Sequence, residues 1–251
     1  GCGYGMGGSK FAHSVQAMTG KSMLEYFPEE VVAKKKAVEK LRRRAKREDQ
    51  SDEAVDLHLA EQIAKDVVGQ YRESNNAIKQ FWGDLNQAVL KTIKTKREQW
   101  VGFLKITCSD NWLKIWLPSG RDISYYQPEV TVIDAPWDMD KPKNERQQLD
   151  QVQHMGMNST IHKWCKTRTY GGKLVENVTQ AVAADLLMEA MLRLENKGYK
   201  IIGTVHDEVI AEMPHGEGSM AEFDHIMAQV PNWAHGCPID VEGFESERYR
   251  K

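Results

Sequence analysis

The residues best suited to chemistry in this chain stand three in a row, His206-Asp207-Glu208. They separate Tyr199-Lys-Ile-Ile-Gly-Thr-Val205, rich in β-branched residues, from the apolar run Val209-Ile-Ala-Glu-Met213. Hairpins favour Asn-Gly or Asp-Gly at such a point, so a turn without either looks chosen for its side chains. Neighbouring side chains on an extended strand face opposite ways, and Asp207 and Glu208 serve one site only if the backbone turns sharply between them. A carboxylate on a stiff turn suits a hard cation such as Mg²⁺, which takes oxygen ligands and keeps several waters. One aspartate alone is a poor Mg²⁺ site; a second carboxylate from another element and substrate phosphate oxygens are needed. The plain alternative is an exposed turn whose charges keep it wet.

The elements that must position these groups read as follows. From about Ser9 to Lys96 the chain is helical in character, with Lys21 to Leu41 interrupted by Pro28. Between Glu53 and Ile93, apolar residues including Val68, Leu85, Val89 and Ile93 recur at helical spacing, with a break expected around Gly69 to Asn76. Three short strands follow at Gly102–Thr107, Trp112–Leu117 and Ile123–Tyr126, the last two joined by the turn Pro118-Ser-Gly-Arg121. The polar, Pro-containing stretch from Asp134 to Gln151 reads as a loop. A helix is expected from Asn177 to Lys197, closed by Gly198, and another between Ser219 and Gln229. Ile239 to Gly243 reads as a final short strand. Helices around an antiparallel sheet define an α+β fold.

The composition sets limits. With 251 residues and 41% hydrophobic content, the chain can bury one large core or two small ones. Its net charge of −2 hides an uneven distribution: nine of the fourteen residues from Lys34 to Arg47 are Lys or Arg, whereas Gly203 onward holds ten acidic and three basic residues. Such a basic run suits an anionic partner, or is simply a solvated helix face. Cys2, Cys108, Cys165 and Cys237 show no CxxC pair, which reads as free thiols in a reducing compartment. His162 and Cys165 have a metal-like spacing but no second pair, so a zinc site is not expected. No signal peptide and no long apolar run appear, and the expected location is cytoplasmic, with no membrane partner.

Several motifs occur together in one order: Gly3-Tyr-Gly-Met-Gly-Gly8, Leu117-Pro-Ser-Gly-Arg121, the run from Thr169 through Tyr-Gly-Gly-Lys-Leu-Val-Glu-Asn-Val-Thr-Gln-Ala-Val-Ala-Ala to Asp185, Val205-His-Asp-Glu-Val209, and Glu247-Arg-Tyr-Arg-Lys251. Together they resemble the C-terminal part of the family A, DNA polymerase I-like enzymes, phage type. The resemblance implies trailing helices of the fingers in 1–100, a small β section in 101–135, a loop or insertion with a short helix in 136–168, and a palm portion with the metal-binding hairpin in 169–251. The implied fold is an antiparallel palm sheet covered by helices beside a mostly helical fingers portion. Asp207 would be the palm carboxylate that ligates Mg²⁺, with Glu208 near the primer end and His206 beside the primer terminus. Gln180 matches the glutamine that checks the minor groove, where acceptors lie at equivalent places for all four pairs. Lys173 would position phosphate, Tyr4 would stack near the templating base, and Arg121 and Asn177 complete the expected DNA contacts. The family places its asparagine four residues before the glutamine; here Glu176 holds that position and Asn177 is three before. Asn177-x-x-Gln180 also has the spacing of a variant capping box at a helix start.

The resemblance implies template-directed synthesis on primer–template DNA: the primer 3′-hydroxyl attacks the α-phosphate of a dNTP and pyrophosphate leaves. Two Mg²⁺ ions, about 3.5–4 Å apart, would support that step. The second aspartate belongs to a motif of the type DYSxxExR, which this sequence lacks, and the triphosphate-binding Arg and Lys of the fingers helix would lie before Gly1. The expectation is a C-terminal fragment, inactive alone, that works with an upstream polymerase segment. Two rivals remain: a non-catalytic DNA-binding module resting on the basic run, and a metal-dependent phosphohydrolase using His206-Asp207 as an HD pair, for which His13, His58, His154 and His162 are not convincingly placed as further ligands.

Overall fold

A computed structural model describes residues 6–29, 39–40, 43, 51–158 and 161–249. Tyr4, Cys2 and most of the basic run therefore lie outside the described residues. The chain divides into two compact units, Gly1–Gln87 with Tyr170–Glu176 and Ala88–Thr169 with Asn177–Lys251.

The first unit is helical. Helix α1 (Gly8–Thr19) is followed by one turn, α2 (Met23–Tyr26), whose Ser22 and Glu25 form a reciprocal capping box and which Pro28 keeps from continuing. Helix α3 (Asp52–Ser74) starts on Ser51, whose hydroxyl accepts from the Ala54 amide, and α4 (Asn76–Thr95) follows immediately. The break expected near Gly69 to Asn76 falls at Asn75, which leaves helical geometry at φ −117° and ψ 49°. Ala12, Met23, Leu59, Ala60, Ile63 and Ala64 form the core between α1, α2 and α3. Gly8 is required there, because a Cβ would press on the backbone of Lys65.

The second unit is built on a six-stranded antiparallel meander, β1 (Gln99–Val101), β2 (Leu104–Cys108), β3 (Trp112–Trp116), β4 (Asp122–Asp134), β5 (Gln148–Asn158) and β6 (Lys163–Thr169), in that order across the sheet. Leu104, Ile106, Leu113, Ile115, Tyr125 and Val152 bury one face. The Leu117–Arg121 connection closes as expected, with Gly120 at φ 89°. Two expectations fail here. Strand β4 continues far past Tyr126 because Gln127 and Pro128 sit in a bulge, where a missing N–H breaks no ladder bond. The stretch 136–168, read as loop with a short helix, holds two 3-10 turns, Pro136–Asp138 and Lys143–Glu145, and then the long strands β5 and β6. Those strands carry few β-branched residues and owe their form to pairing with β4, not to propensity.

Helix α5 (Gly171–Asn196) ends with Gly198 at φ 93°, as read from the sequence, but begins six residues before Asn177. Asn177 is thus inside the helix, and the capping-box reading is overturned. Strands β7 (Lys200–Val205) and β8 (Glu208–Glu212) form a separate two-stranded hairpin, and α6 (Met220–Met227) follows, capped by the Ser219 hydroxyl. Ile239 to Gly243 forms no strand; Gly243 instead packs against the ends of the Met220 and Asp224 side chains of α6, which would have to shift to admit a Cβ. Helices and antiparallel sheet together make the chain α+β.

Candidate functional site

The hairpin turn has two residues, His206 and Asp207, between the paired Val205 and Glu208. His206 adopts φ 57°, the left-handed region usually given to Gly, Asn or Asp. Asp207 projects at the tip, exposed and with no hydrogen-bond or ion-pair partner among the described residues. The rest of the hairpin is anchored. Leu194 at the end of α5, Tyr199 and Ile226 of α6 are buried, and Ile201, Val209, Ala211 and Phe223 pack on them. The Tyr199 hydroxyl donates to Glu222 at 2.9 Å and accepts from the Ser219 amide at 3.0 Å, tying the strand start to the α6 cap. Ile202 is an extra residue in β7, a bulge that sharpens the twist next to the turn.

Glu208 opens β8 and accepts a 3.1 Å hydrogen bond from the Tyr249 hydroxyl, so the C-terminal motif reaches back to the triplet. Desolvation, and then the Glu208 carboxylate, push the Tyr249 phenol above its ordinary value. Asp207 offers Mg²⁺ one oxygen-ligand side chain. No group of three His, Cys, Asp or Glu side chains able to hold a metal exists among the described residues, so this donor set fits the cation only as half a site.

The remaining residues of interest belong to other elements. Arg121 lies in the β3–β4 connection and donates from Nε to Asp185 at 2.6 Å and from Nη2 to the Ala181 carbonyl at 3.0 Å. Ser119 donates to the other Asp185 oxygen at 2.5 Å, so the Pro118-Ser-Gly-Arg121 turn is clasped to α5. Asn177 donates to the Tyr125 hydroxyl at 2.9 Å. Burial raises the Tyr125 phenol above its usual value, and the Asn177 amide offsets part of that. Gln180 is exposed on the same helix, one turn from Asn177. Lys173, in the first unit, is half-exposed and pairs with Glu176 at 2.9 Å. No hydrogen bond or ion pair among the described residues links the Arg121–Asn177 group to His206, Asp207 or Glu208. Sequence reasoning missed Ser119, Tyr125, Asp185, Tyr199 and Tyr249 as supports, although three of them lie inside the quoted motifs.

With that geometry in hand, the chain can be set beside known proteins. It is 32% identical over 199 residues, 79% of its length, to a DNA polymerase of Bacillus phage SP02. The chain spans 29% of the length of that curated relative. No protein-family model matches, and no solved structure matches. No helix among the described residues is long and apolar enough to cross a membrane.

Proposed function

We propose that this chain is the C-terminal fingers and palm portion of a family A DNA polymerase and, with an upstream segment, transfers nucleotides from dNTP to a primer 3′-hydroxyl on template DNA. The observation that carries the reading is the two-residue turn: an unpartnered carboxylate at its tip, on a strained His and a stiff, bulged hairpin. Strain and free polar groups of this kind concentrate where a site is kept for chemistry. The similarity to a phage DNA polymerase supports the same reading.

Asp207 serves as one ligand for Mg²⁺, which when bound neutralises the charge that develops on the reacting phosphate. Glu208, oriented by Tyr249, and His206 lie beside the primer end. Gln180 checks the minor-groove edge of the terminal pair, and Lys173 and Tyr4 meet phosphate and the templating base. Arg121 and Asn177 serve this surface chiefly by fixing α5 to the sheet through Asp185 and Tyr125. The second aspartate and the triphosphate-binding cations come from outside these 251 residues.

Primer extension tests the reading, with the chain assayed alone and mixed with the upstream polypeptide. Extension is expected only in the mixture and is lost in Asp207→Ala. Extension that survives Asp207→Ala in the mixture would sink the assignment of the turn. DNA binding with no extension, insensitive to EDTA and steeply salt-dependent, would leave the DNA-binding module instead.

A further inference from the structure

The face of the six-stranded sheet turned away from its core carries an array of rings that the proposed chemistry does not use. Cross-strand register fixes it. Trp100, Lys105 and Trp116 are successive partners in one row, and Trp112, Tyr126, Met155 and Lys166 in another. The alternating residues, Leu104, Ile106, Leu113, Ile115 and Tyr125, are the buried ones, so these rows face solvent. Trp100 is 61% exposed, Trp164 58% and Trp112 43%. Such a cluster of exposed large rings on one face marks an interaction surface.

The face is grooved and cationic as well as aromatic. An open concavity of about 630 Å³ lies among Trp100, Phe103, Trp116 and Trp233, and a second of about 430 Å³ beside Trp112 and Lys114. Lys105 stands 5.8 Å from the centre of the Trp100 ring and Lys114 5.2 Å from that of Trp116. Lys105, Lys114 and Lys166 pair with Glu98, Asp122 and Glu129. The Lys105 and Lys166 pairs are exposed and of small net worth, readily exchanged for a phosphate, while Asp122 is part-buried. Arg168 shares the face with Lys166 and Trp164 through its pairing with Gln153, and residues 151–169 contain no Asp or Glu.

The geometry points to a binding track for single-stranded nucleic acid across this face, separate from the hairpin turn. Rings displayed on a sheet stack on unpaired bases of any sequence, and interleaved cations meet the backbone. The five gaps between strands, each about 4.8 Å, give the face a width of about 24 Å, room for several nucleotides. A duplex hides its base faces and has no use for the rings. The inference does not depend on the polymerase reading.

The test is fluorescence anisotropy of a labelled oligothymidylate of about twelve nucleotides, within the usual site-size range, titrated with the 251-residue chain in EDTA. Saturable, salt-sensitive binding is expected. Trp112→Ala and Trp164→Ala should each weaken it about tenfold, and together about a hundredfold, with the circular dichroism spectrum unchanged. Trp164→Phe should retain most binding, and Asp207→Ala should bind like the unaltered chain. Absence of binding overturns the proposal; full affinity in the double variant overturns it too and leaves the basic run as the DNA contact. Equal competition by duplex overturns it too. Capture of a protein partner by the face, lost in the double variant while oligothymidylate is ignored, would reassign it to protein recognition.

Discussion

Replacing Arg121 and Asp185 by alanine, singly and together, separates a structural clasp from a DNA contact. Asp185 receives Arg121 Nε at 2.6 Å and Ser119 Oγ at 2.5 Å, and its side chain is only 12% exposed. Hydrogen bonds to a charged group contribute about 1.5–3 kcal/mol when sheltered, while fully exposed ion pairs give roughly 0.2–1 kcal/mol. Arg121 is 49% exposed, and solvent screening draws the coupling between the two down to the top of the exposed range, about 1 kcal/mol. Arg121→Ala alone, which also loses the Ala181 contact, should cost about 1.5 kcal/mol. Asp185→Ala should cost about 2 kcal/mol, because it strands both the guanidinium and the Ser119 hydroxyl. The double variant should then cost about 2.5 kcal/mol, less than the sum of the singles. Urea unfolding reads these values from the midpoint, with the slope unchanged. The same proteins are assayed for DNA binding. A coupling below about 0.3 kcal/mol, with Arg121→Ala weakening DNA binding at full stability, would refute the clasp and return Arg121 to the DNA surface.

Three further outcomes follow from the same coordinates. His206→Gly should raise the stability of the second unit by about 0.5–1 kcal/mol, the relief of a left-handed residue less the entropy of glycine, while lowering primer extension; a lower unfolding midpoint would contradict the strain. Leu194→Ala should cost about 3 kcal/mol and speed amide exchange in β7 and β8, because Leu194 is fully buried beneath the hairpin. Burial raises the Tyr125 phenol, so the unfolded chain ionises first as pH climbs: the stability is fully present below the ordinary tyrosine value, about 10, and is lost as pH rises through the higher folded value. Tyr125→Phe should flatten that alkaline loss and cost about 1 kcal/mol near neutral pH, where Asn177 loses its acceptor; an unchanged alkaline slope in urea melts would remove Tyr125 as its cause.

The helices and the hairpin were legible because each is written locally. Helical spacing marked α3 and α4, Gly198 marked the end of α5, and β-branched runs marked β7. The errors lie where a local signal served a distant contact. The long helix is expected from Asn177, yet α5 starts at Gly171, where a Cβ would strike the Trp82 carbonyl in the same unit. The strand expected to end at Tyr126 runs on to Asp134, with Pro128 in a bulge inside β4. Gln148–Asn158 reads as polar loop because its outer face is wet; only Val152 along it is fully buried. Pairing that depends on neighbouring strands leaves little trace in the composition of the strand itself. The site was half legible for the same reason. Exposed groups such as Asp207 were visible, whereas Asp185, Tyr125 and Tyr199 acquire their roles only through partners far along the chain.

The His206-Asp207 turn joins two departures from ordinary local rules. It lacks the Asn or Gly its tightness favours, and the structure pays for that with a histidine in the left-handed region. Elsewhere in the second unit Gly102, Gly120, Gly198, Gly216, Gly218 and Gly236 fill six such positions, while Lys96, Gln127 and His162 also take positive φ. A turn kept only for solubility would be free to drift to the same choice at no loss. Holding the strain requires that the surrounding hairpin over-determine it, and the packing of Tyr199, Leu194 and Ile226 beneath β7 and β8 does so. A buried platform under a strained, polar tip is what a reactive carboxylate needs in order to keep one direction while its ligands exchange. What sets His206 apart from Lys96, Gln127 and His162 is its place beside an unpartnered carboxylate on a packed hairpin, and the proposal for the tip rests on that combination.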